Sequence, residues 1–345
     1  MPDTDEYAAR AAAAVMRVLE EHHAVVHPEL EARIAEANFA QSRGNIDPHH
    51  ITNALRDLRD SRQIEWAEGT TRGGHTIETI QLTNTRLRAT KTTATAARKR
   101  LLYARYTGWA QGTKRHPQGL IGPAGEAAVR SAILASGAMQ PAVPDAGEVS
   151  RLFGVRLPGP VDSAGYLVGV DPSGVPQPPV TVLVEVKNIR SWVYPGASEL
   201  YQLLHKALLL HQAQPQAPLV PVFVCRRAHP TTFWMAKQLG FVVIDMNRQY
   251  AGDVGEQELL DVRNELHFND LYAGAGPSLR VRDRFTKVLP RIATTMAAQW
   301  STTAATPELA TLLEQLRAAK TASKRNALTS QLRAVNTSLG ARGGW

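Results

Sequence analysis

The sequence predicts an α/β protein in which a mixed sheet core is flanked by helices, with a small helix-rich domain before it and a helical region after it. Residues 121–252 alternate strand-like apolar runs with helical segments, which is the pattern of an α/β core. Residues 5–85 contain three helical patterns and then two short alternating segments. Beyond Gly255 the periodicity is helical, with breaks at Gly, Pro, Ser and Thr. A chain of 345 residues is long enough for two or three domains.

The N-terminal residues resemble a winged-helix domain. The third helix, residues 47–61, begins at an Asp47-Pro48 pair that is typical of a helix start, and it would be the recognition helix. Two short strands with a glycine-rich turn between them follow it. The predicted elements are helices at Tyr7–Glu21, Pro28–Phe39 and 47–61 and strands at Ile64–Trp66 and Ile77–Ile80.

This resemblance leaves two functions open for the first domain. Four outward residues of the third helix could contact bases or phosphates. However, residues 1–85 carry a net charge of −6, which argues against strong DNA binding by this domain alone. We therefore keep both DNA recognition and protein binding as candidate functions of this domain. The outward residues are His49, His50, Asn53 and Arg56.

The positive charge of the chain is concentrated in two segments. The net charge is +8, and residues 86–120 carry +9 while residues 271–345 carry +8. Such segments attract polyanions by releasing counterions, although a basic stretch can also be plain solvated surface. Basic groups interleaved with aromatics can hold a phosphate backbone, and they can equally form a helix that packs domains together. The predicted nucleic-acid contacts here are Arg98, Lys99, Arg100, Lys114 and Arg115.

One strand-like run carries an unusual pair of charges. Residues 180–187 are β-branched and apolar, as in a strand buried on both faces, but the run ends in Glu185-Val186-Lys187. Side chains two apart in a strand point to the same face, so Glu185 and Lys187 lie together. Burying both charges requires that they be compensated by pairing or by a metal.

Asp162 is expected to lie beside this pair. It begins a second apolar segment, which turns through Asp171-Pro172-Ser173-Gly174 and can return as a hairpin onto residues 180–187. Antiparallel pairing would set Asp162 next to Glu185. Two carboxylates so close would repel unless a divalent cation lay between them, and Mg²⁺ prefers oxygen ligands.

Asp162 followed by Glu185-Val186-Lys187 resembles the motif of the PD-(D/E)XK nuclease superfamily, over residues 120–250. The resemblance implies a restriction endonuclease-like fold and a Mg²⁺-dependent DNA endonuclease, with Mn²⁺ as a substitute. It implies that the metal is held by Asp162, Glu185, the Val186 carbonyl and Glu126, and that Lys187 orients the attacking water. On the following helix, Gln202 and Lys206 stand where family members have polar residues that touch the site or the DNA backbone. The resemblance implies that Gln202 positions the site and that Lys206 binds nucleic acid.

The order of the domains is similar to that of Mrr-type restriction enzymes, but that group commonly has glutamine where this chain has Glu185. Restriction or phage defence is the expected setting, and a homodimer is expected because cutting both strands needs two sites. The alternatives are a non-catalytic DNA-binding or regulatory protein on a nuclease scaffold and a junction-resolving nuclease. The predicted domains are a winged-helix-like domain (1–85), a basic linker (86–120), a nuclease domain (121–252) and a basic helical C-terminal region (253–345).

The sequence also predicts a cytoplasmic protein without a membrane partner. Cys225 is the single cysteine, so no disulfide can form within the chain, which suits a reducing compartment. The first six residues lack the basic and apolar regions of a signal peptide. No apolar stretch approaches the roughly 18 residues of a membrane helix.

Overall fold

The computed structural model describes residues 4–36, 46–83, 89–169 and 173–338. The protein is mixed α/β, as expected. It divides into two compact units, one formed by residues 1–120 and 253–273 and the other by residues 121–252 and 274–345. Within the described residues, no helix is both long enough and apolar enough to cross a membrane.

The N-terminal unit contains the predicted helices followed by a β-hairpin. Strands β2 and β3 pair antiparallel from Ile64↔Leu82 to Thr70↔Thr76, and β1 pairs with the other edge of β3. The second helix was expected to reach Phe39, but residues 37–39 lie outside the described residues. The elements are α1 (Thr4–His22), β1 (Ala24–Val25), α2 (His27–Glu31) with a π-helical turn (Ala32–Glu36), α3 (Pro48–Asp60), β2 (Ile64–Thr70), β3 (Thr76–Leu82), α4 (Ala89–Gln111), α8 (Glu256–Glu265) and β12 (Leu271–Tyr272).

Most of the segment expected to be a basic linker is the long helix α4, which packs against β1, β3 and α8. Its inward face carries Lys99, which is only 3% exposed and donates to the buried Glu29 carboxylate over 2.7 Å. Arg33 donates to the same carboxylate oxygen over 2.8 Å. The prediction that Lys99 contacts nucleic acid is therefore wrong, because its ammonium group is used inside the unit to neutralise Glu29.

The second unit is built on a five-stranded sheet with the order β10–β9–β8–β7–β4. Strand β7 is antiparallel to β8, whereas β9 is parallel to β8 and β10 is parallel to β9. A separate antiparallel pair is formed by β5 and β6. The elements are α5 (Ile121–Ser136), β4 (Gln140–Pro141), a 3-10 turn (Pro144–Ala146), β5 (Val149–Leu152), β6 (Val155–Val161), β7 (Ser163–Leu167), β8 (Val180–Lys187), α6 (Ser198–Ala213), β9 (Leu219–Cys225), α7 (Pro230–Leu239), β10 (Val242–Asp245), β11 (Gln249–Tyr250), α9 (Leu279–Lys287), α10 (Leu289–Ala305), α11 (Pro307–Ala318) and α12 (Ala322–Ser338).

Helices cover both faces of this sheet. Alternate residues of β8 enter two apolar clusters, so Leu183 packs with α6, α7, α11 and α12, while Val182 and Val184 pack with α5, α9 and α10. Every position of β8 except Lys187 is buried, which explains its continuous apolar run. The predicted break at Pro290 is confirmed, since α9 ends at Lys287 and Pro290 lies in the first turn of α10.

Candidate active site

The β7–β8 hairpin brings Asp162 to Glu185, as the sequence predicts. Pairing of the two strands ends at Ser163↔Val184, one residue from both acids. Asp162 lies in the bend between β6 and β7, and its Oδ2 accepts the Val186 backbone N–H over 2.5 Å. The carboxylate thus accepts a backbone N–H just beyond the point where strand pairing ends.

Two lysines neutralise the Glu185 carboxylate. Its side chain is 5% exposed, Lys187 Nζ donates to Oε1 over 2.7 Å, and Lys206 Nζ donates to Oε2 over 2.9 Å. Lys206 also donates to the Pro160 carbonyl over 2.6 Å. With both oxygens bound, the charge of Glu185 is compensated despite its burial.

The two predicted α6 residues lie on one face of the helix. Lys206 is only 7% exposed and donates to Glu185, so it contacts the site, and the prediction that it binds nucleic acid is wrong. A lysine on the inward face of α6 reaches the end of β8 rather than solvent. Gln202 is half-buried one turn earlier on the same face of α6.

Helix α5 brings Glu126 to the site. Arg130 on the same helix, which was not among the predicted site residues, links Glu126 to Asp162. Arg130 donates to Glu126 Oε2 and to the Asp162 backbone carbonyl, each over 3.2 Å. It also lies 3.7 Å from Glu148 Oε1, in the loop before β5. The i,i+4 spacing from Glu126 could have indicated Arg130. Nothing in the sequence around Glu148 indicated its position.

Three carboxylates lie close enough to share one cation. Ligand oxygens of Glu126, Glu148 and Asp162 are all within 4.8 Å of one another. This set differs from the sequence prediction, because it includes Glu148 while the oxygens of Glu185 are bound by lysines. An all-oxygen set of carboxylates suits a hard cation such as Mg²⁺.

The pKa values of these groups reflect their burial first and the charges around them second. Burial, and then the charge of Glu185, raises the pKa of Asp162 to about 7. Burial also raises the pKa of Glu126, although the charge of Arg130 opposes that shift. For Lys187, burial acts to lower the pKa, but the charge and hydrogen bond of Glu185 outweigh it and the pKa is raised. Lys187 therefore stays protonated, and a cation would relieve the repulsion at Asp162.

A close helix–strand contact fixes the position of Glu126. A Cβ at Gly125 would lie 2.3 Å from Cβ of Asn188, so only glycine allows α5 to approach the end of β8 this closely. The Asn188 amide donates to the Ile121 carbonyl over 2.6 Å and to the Tyr250 carbonyl over 2.7 Å. These bonds tie the start of α5 to the residue that follows Lys187.

The other predicted nucleic-acid contacts belong to the N-terminal unit. Arg98 is exposed and pairs with Glu265 over 3.1 Å, while Arg100 is half-buried against the β2–β3 hairpin. Lys114 and Arg115 are exposed in the loop after α4. Of the predicted set, these four remain accessible to a polyanion.

The second unit thus carries a polar site at the end of an otherwise apolar sheet. Asp162, from the bend before β7, meets Glu185 and Lys187 of β8, and Glu126 joins them from α5. Comparison with protein-family models, curated proteins and solved structures gives no match for this chain.

Proposed function

We propose that this protein is a metal-dependent DNA endonuclease of the PD-(D/E)XK kind. The observation that carries the proposal is the site at the end of β8, where Lys187 donates to the buried Glu185 and Asp162 bonds to the Val186 N–H between them. Burying two carboxylates and an ammonium group at the end of an apolar sheet costs desolvation free energy, and a sheet with a purely structural role does not require these groups there. Clusters of perturbed titratable groups are typical of catalytic sites.

The assignment of a specific fold to each of the two units is part of the same proposal. A helix before the β7–β8 hairpin, a helix after β8 and then two parallel strands is the order expected of a restriction endonuclease-like core. In the N-terminal unit, three helical segments followed by the β2–β3 hairpin support a winged-helix-like domain. Restriction or phage defence, a homodimeric state and a cytoplasmic location are further parts of this proposal.

The donor set supports a divalent cation with oxygen ligands, Mg²⁺ or Mn²⁺. Asp162 and Glu126 would hold it with Glu148, and the motif adds Glu185 and the Val186 carbonyl. When bound, such a cation supplies Lewis-acid chemistry by lowering the pKa of a coordinated water and stabilising negative charge on phosphate. The raised pKa of Asp162 supports this assignment, because a carboxylate short of positive charge gains most from a cation.

The chain's own residues orient and neutralise the substrate. Lys187 is 25% exposed, so its ammonium group can reach solvent while one hydrogen bond to Glu185 fixes its direction. Since it stays protonated, it acts as a donor to the scissile phosphate or the attacking water and not as a base. Lys206 acts through Glu185 by holding its second oxygen, and is a positioning residue.

Nicking of closed-circular DNA tests this function. The purified chain is incubated with supercoiled plasmid in Mg²⁺, in Mn²⁺ and in EDTA, alongside Asp162→Asn and the surface variant Lys237→Ala on α7, outside the basic segments. We expect cleavage in either metal, none in EDTA, none with Asp162→Asn and unchanged cleavage with Lys237→Ala. Cleavage that persists in EDTA or in Asp162→Asn contradicts the site assignment, and tight DNA binding without cleavage in either metal favours the non-catalytic alternative.

A further inference from the structure

The N-terminal unit contains a cavity that the proposed cleavage site does not use. Its volume is about 630 Å³ and it lies between the β2–β3 turn and α4. Sites for small organic ligands commonly have volumes of roughly 300–1,000 Å³. The cavity is therefore large enough for a whole small ligand rather than a single ion.

One wall of the cavity is a single face of α4. Ala97, Arg100, Leu101, Ala104 and Arg105 line it, and their spacing places them along one stripe of the helix. Leu101, in the middle of this stripe, is 55% exposed and so open to a ligand. This wall thus offers an apolar floor with a guanidinium group at either end.

The opposite wall is the turn that joins β2 to β3. The turn is closed by bonds from Thr71 N–H to the His75 carbonyl and from Gly74 N–H to the Thr71 carbonyl, each 2.9 Å. Gly74 has φ of +80°, which glycine adopts without strain. Arg72 occupies the middle of this turn, and among the described residues it has no ion-pair partner. A basic side chain is therefore held at the rim by a defined backbone.

Arg100 is fixed in the cavity wall by the β2–β3 hairpin. Its guanidinium lies flat against Gly69, where a Cβ would be 2.3 Å from Nη1, and it donates to Thr79 Oγ1 over 3.2 Å. The hairpin thus holds this positive charge in a defined position beside the cavity.

The charges around the cavity favour an anion. The described residues that line it include Arg72, Arg100, Arg105 and His75 but no carboxylate. Among the described residues, the ion-pair partner of Arg105 is the half-exposed Glu258, at a long 3.9 Å. Guanidinium groups match phosphate oxygens in geometry and charge, and the apolar floor matches a carbon skeleton.

We propose that this cavity binds a small organic phosphate, with the phosphate held by Arg72, Arg100 and Arg105 and the carbon skeleton against Leu101. Inorganic phosphate would leave the apolar floor uncovered, so the organic part contributes to affinity. The site is separate from the proposed cleavage site and does not depend on the chain being a nuclease.

Calorimetric titration of the full chain in EDTA tests the proposal. The probes are adenosine 5′-monophosphate, adenosine, inorganic phosphate and a short oligodeoxynucleotide with or without a 5′-phosphate. The variants are Arg72→Ala and Arg105→Ala, with Arg17→Ala as the control because Arg17 is an exposed arginine on α1 outside the cavity lining. Lys187→Met, in the cleavage site, separates the two proposals. Circular dichroism checks that each variant is folded.

We expect adenosine 5′-monophosphate to bind more tightly than adenosine or inorganic phosphate. Loss of one charge-assisted hydrogen bond weakens binding by about tenfold, so Arg72→Ala and Arg105→Ala should each raise Kd by that factor. Arg17→Ala and Lys187→Met should leave the Kd for adenosine 5′-monophosphate unchanged. The proposal is overturned if the nucleotide does not bind, or if Arg17→Ala weakens binding as much as the cavity variants do. It is also overturned if inorganic phosphate binds as tightly as the nucleotide, or if only the phosphorylated strand binds.

Discussion

Replacing Asp162 by asparagine should stabilise the metal-free protein at neutral and alkaline pH. The pKa of Asp162 rises from 3.8 to about 7 because burial and the charge of Glu185 disfavour its ionised form. A carboxyl whose pKa is raised by folding contributes stability below pH 3.8, and that stability is lost as the pH rises through about 7. Asparagine does not titrate, and its oxygen can still accept the Val186 N–H.

The size of the stability difference follows from the pH range over which the folded state holds the Asp162 proton and the unfolded state does not. Between pH 5 and the folded-state pKa of about 7 there are two pH units, each worth about 1.36 kcal/mol. The wild type should therefore lose about 3 kcal/mol of stability relative to Asp162→Asn between pH 5 and pH 8. Excess Mg²⁺ should reduce this difference, because a bound cation replaces the proton at the carboxylate.

Urea unfolding in EDTA at several pH values between 5 and 8 measures the effect. Glu308→Gln, an exposed acid in the first turn of α11, is the matched control and should show no such trend. A stability difference between wild type and Asp162→Asn that stays constant from pH 5 to pH 8 would refute the reasoning, since it would mean that Asp162 is not held in a negatively charged, buried setting.

Three further substitutions test how the structure is held together, each by urea unfolding. Lys206→Met leaves the buried Glu185 with one lysine partner and should destabilise the protein by about 3 kcal/mol; a change within experimental error would show that this contact is absent. Gly125→Ala forces a methyl group onto Asn188 and should destabilise by about 1–3 kcal/mol, and a neutral result would exclude the close contact. Lys99→Ala removes a partner of a fully buried carboxylate and should destabilise by about 3–5 kcal/mol, whereas an exposed, DNA-contacting Lys99 would be neutral.

The order of the elements could be predicted because the sequence patterns are strong and local. The run from Val180 to Lys187 is apolar throughout because both faces of β8 are covered, and the Asp171–Gly174 turn signal predicted the antiparallel return from β7. The break before α10 followed from Pro290, which can begin a helix but cannot continue one.

The two wrong predictions concern the side of a helix on which a lysine lies. Lys99 and Lys206 were expected at a nucleic-acid surface, yet both are buried against glutamates from distant parts of the chain. A basic residue in an amphipathic helix looks the same whether it faces solvent or a buried acid, and only the tertiary contact decides. Glu148 was not predicted because it lies in a loop, and no pattern in the neighbouring sequence indicates that the loop approaches Asp162.

The most direct test of the central claim is the single-turnover rate of DNA cleavage by Lys187→Met compared with wild type at saturating Mg²⁺. Methionine keeps the length and apolar stem of the side chain but removes the ammonium group. We predict that wild type cleaves and that Lys187→Met is slower by about 10²–10³, the loss typical of a donor that stabilises transition-state charge. Equal rates for the two proteins, or no Mg²⁺-dependent cleavage by the wild type, would contradict the assignment of this site to phosphodiester hydrolysis.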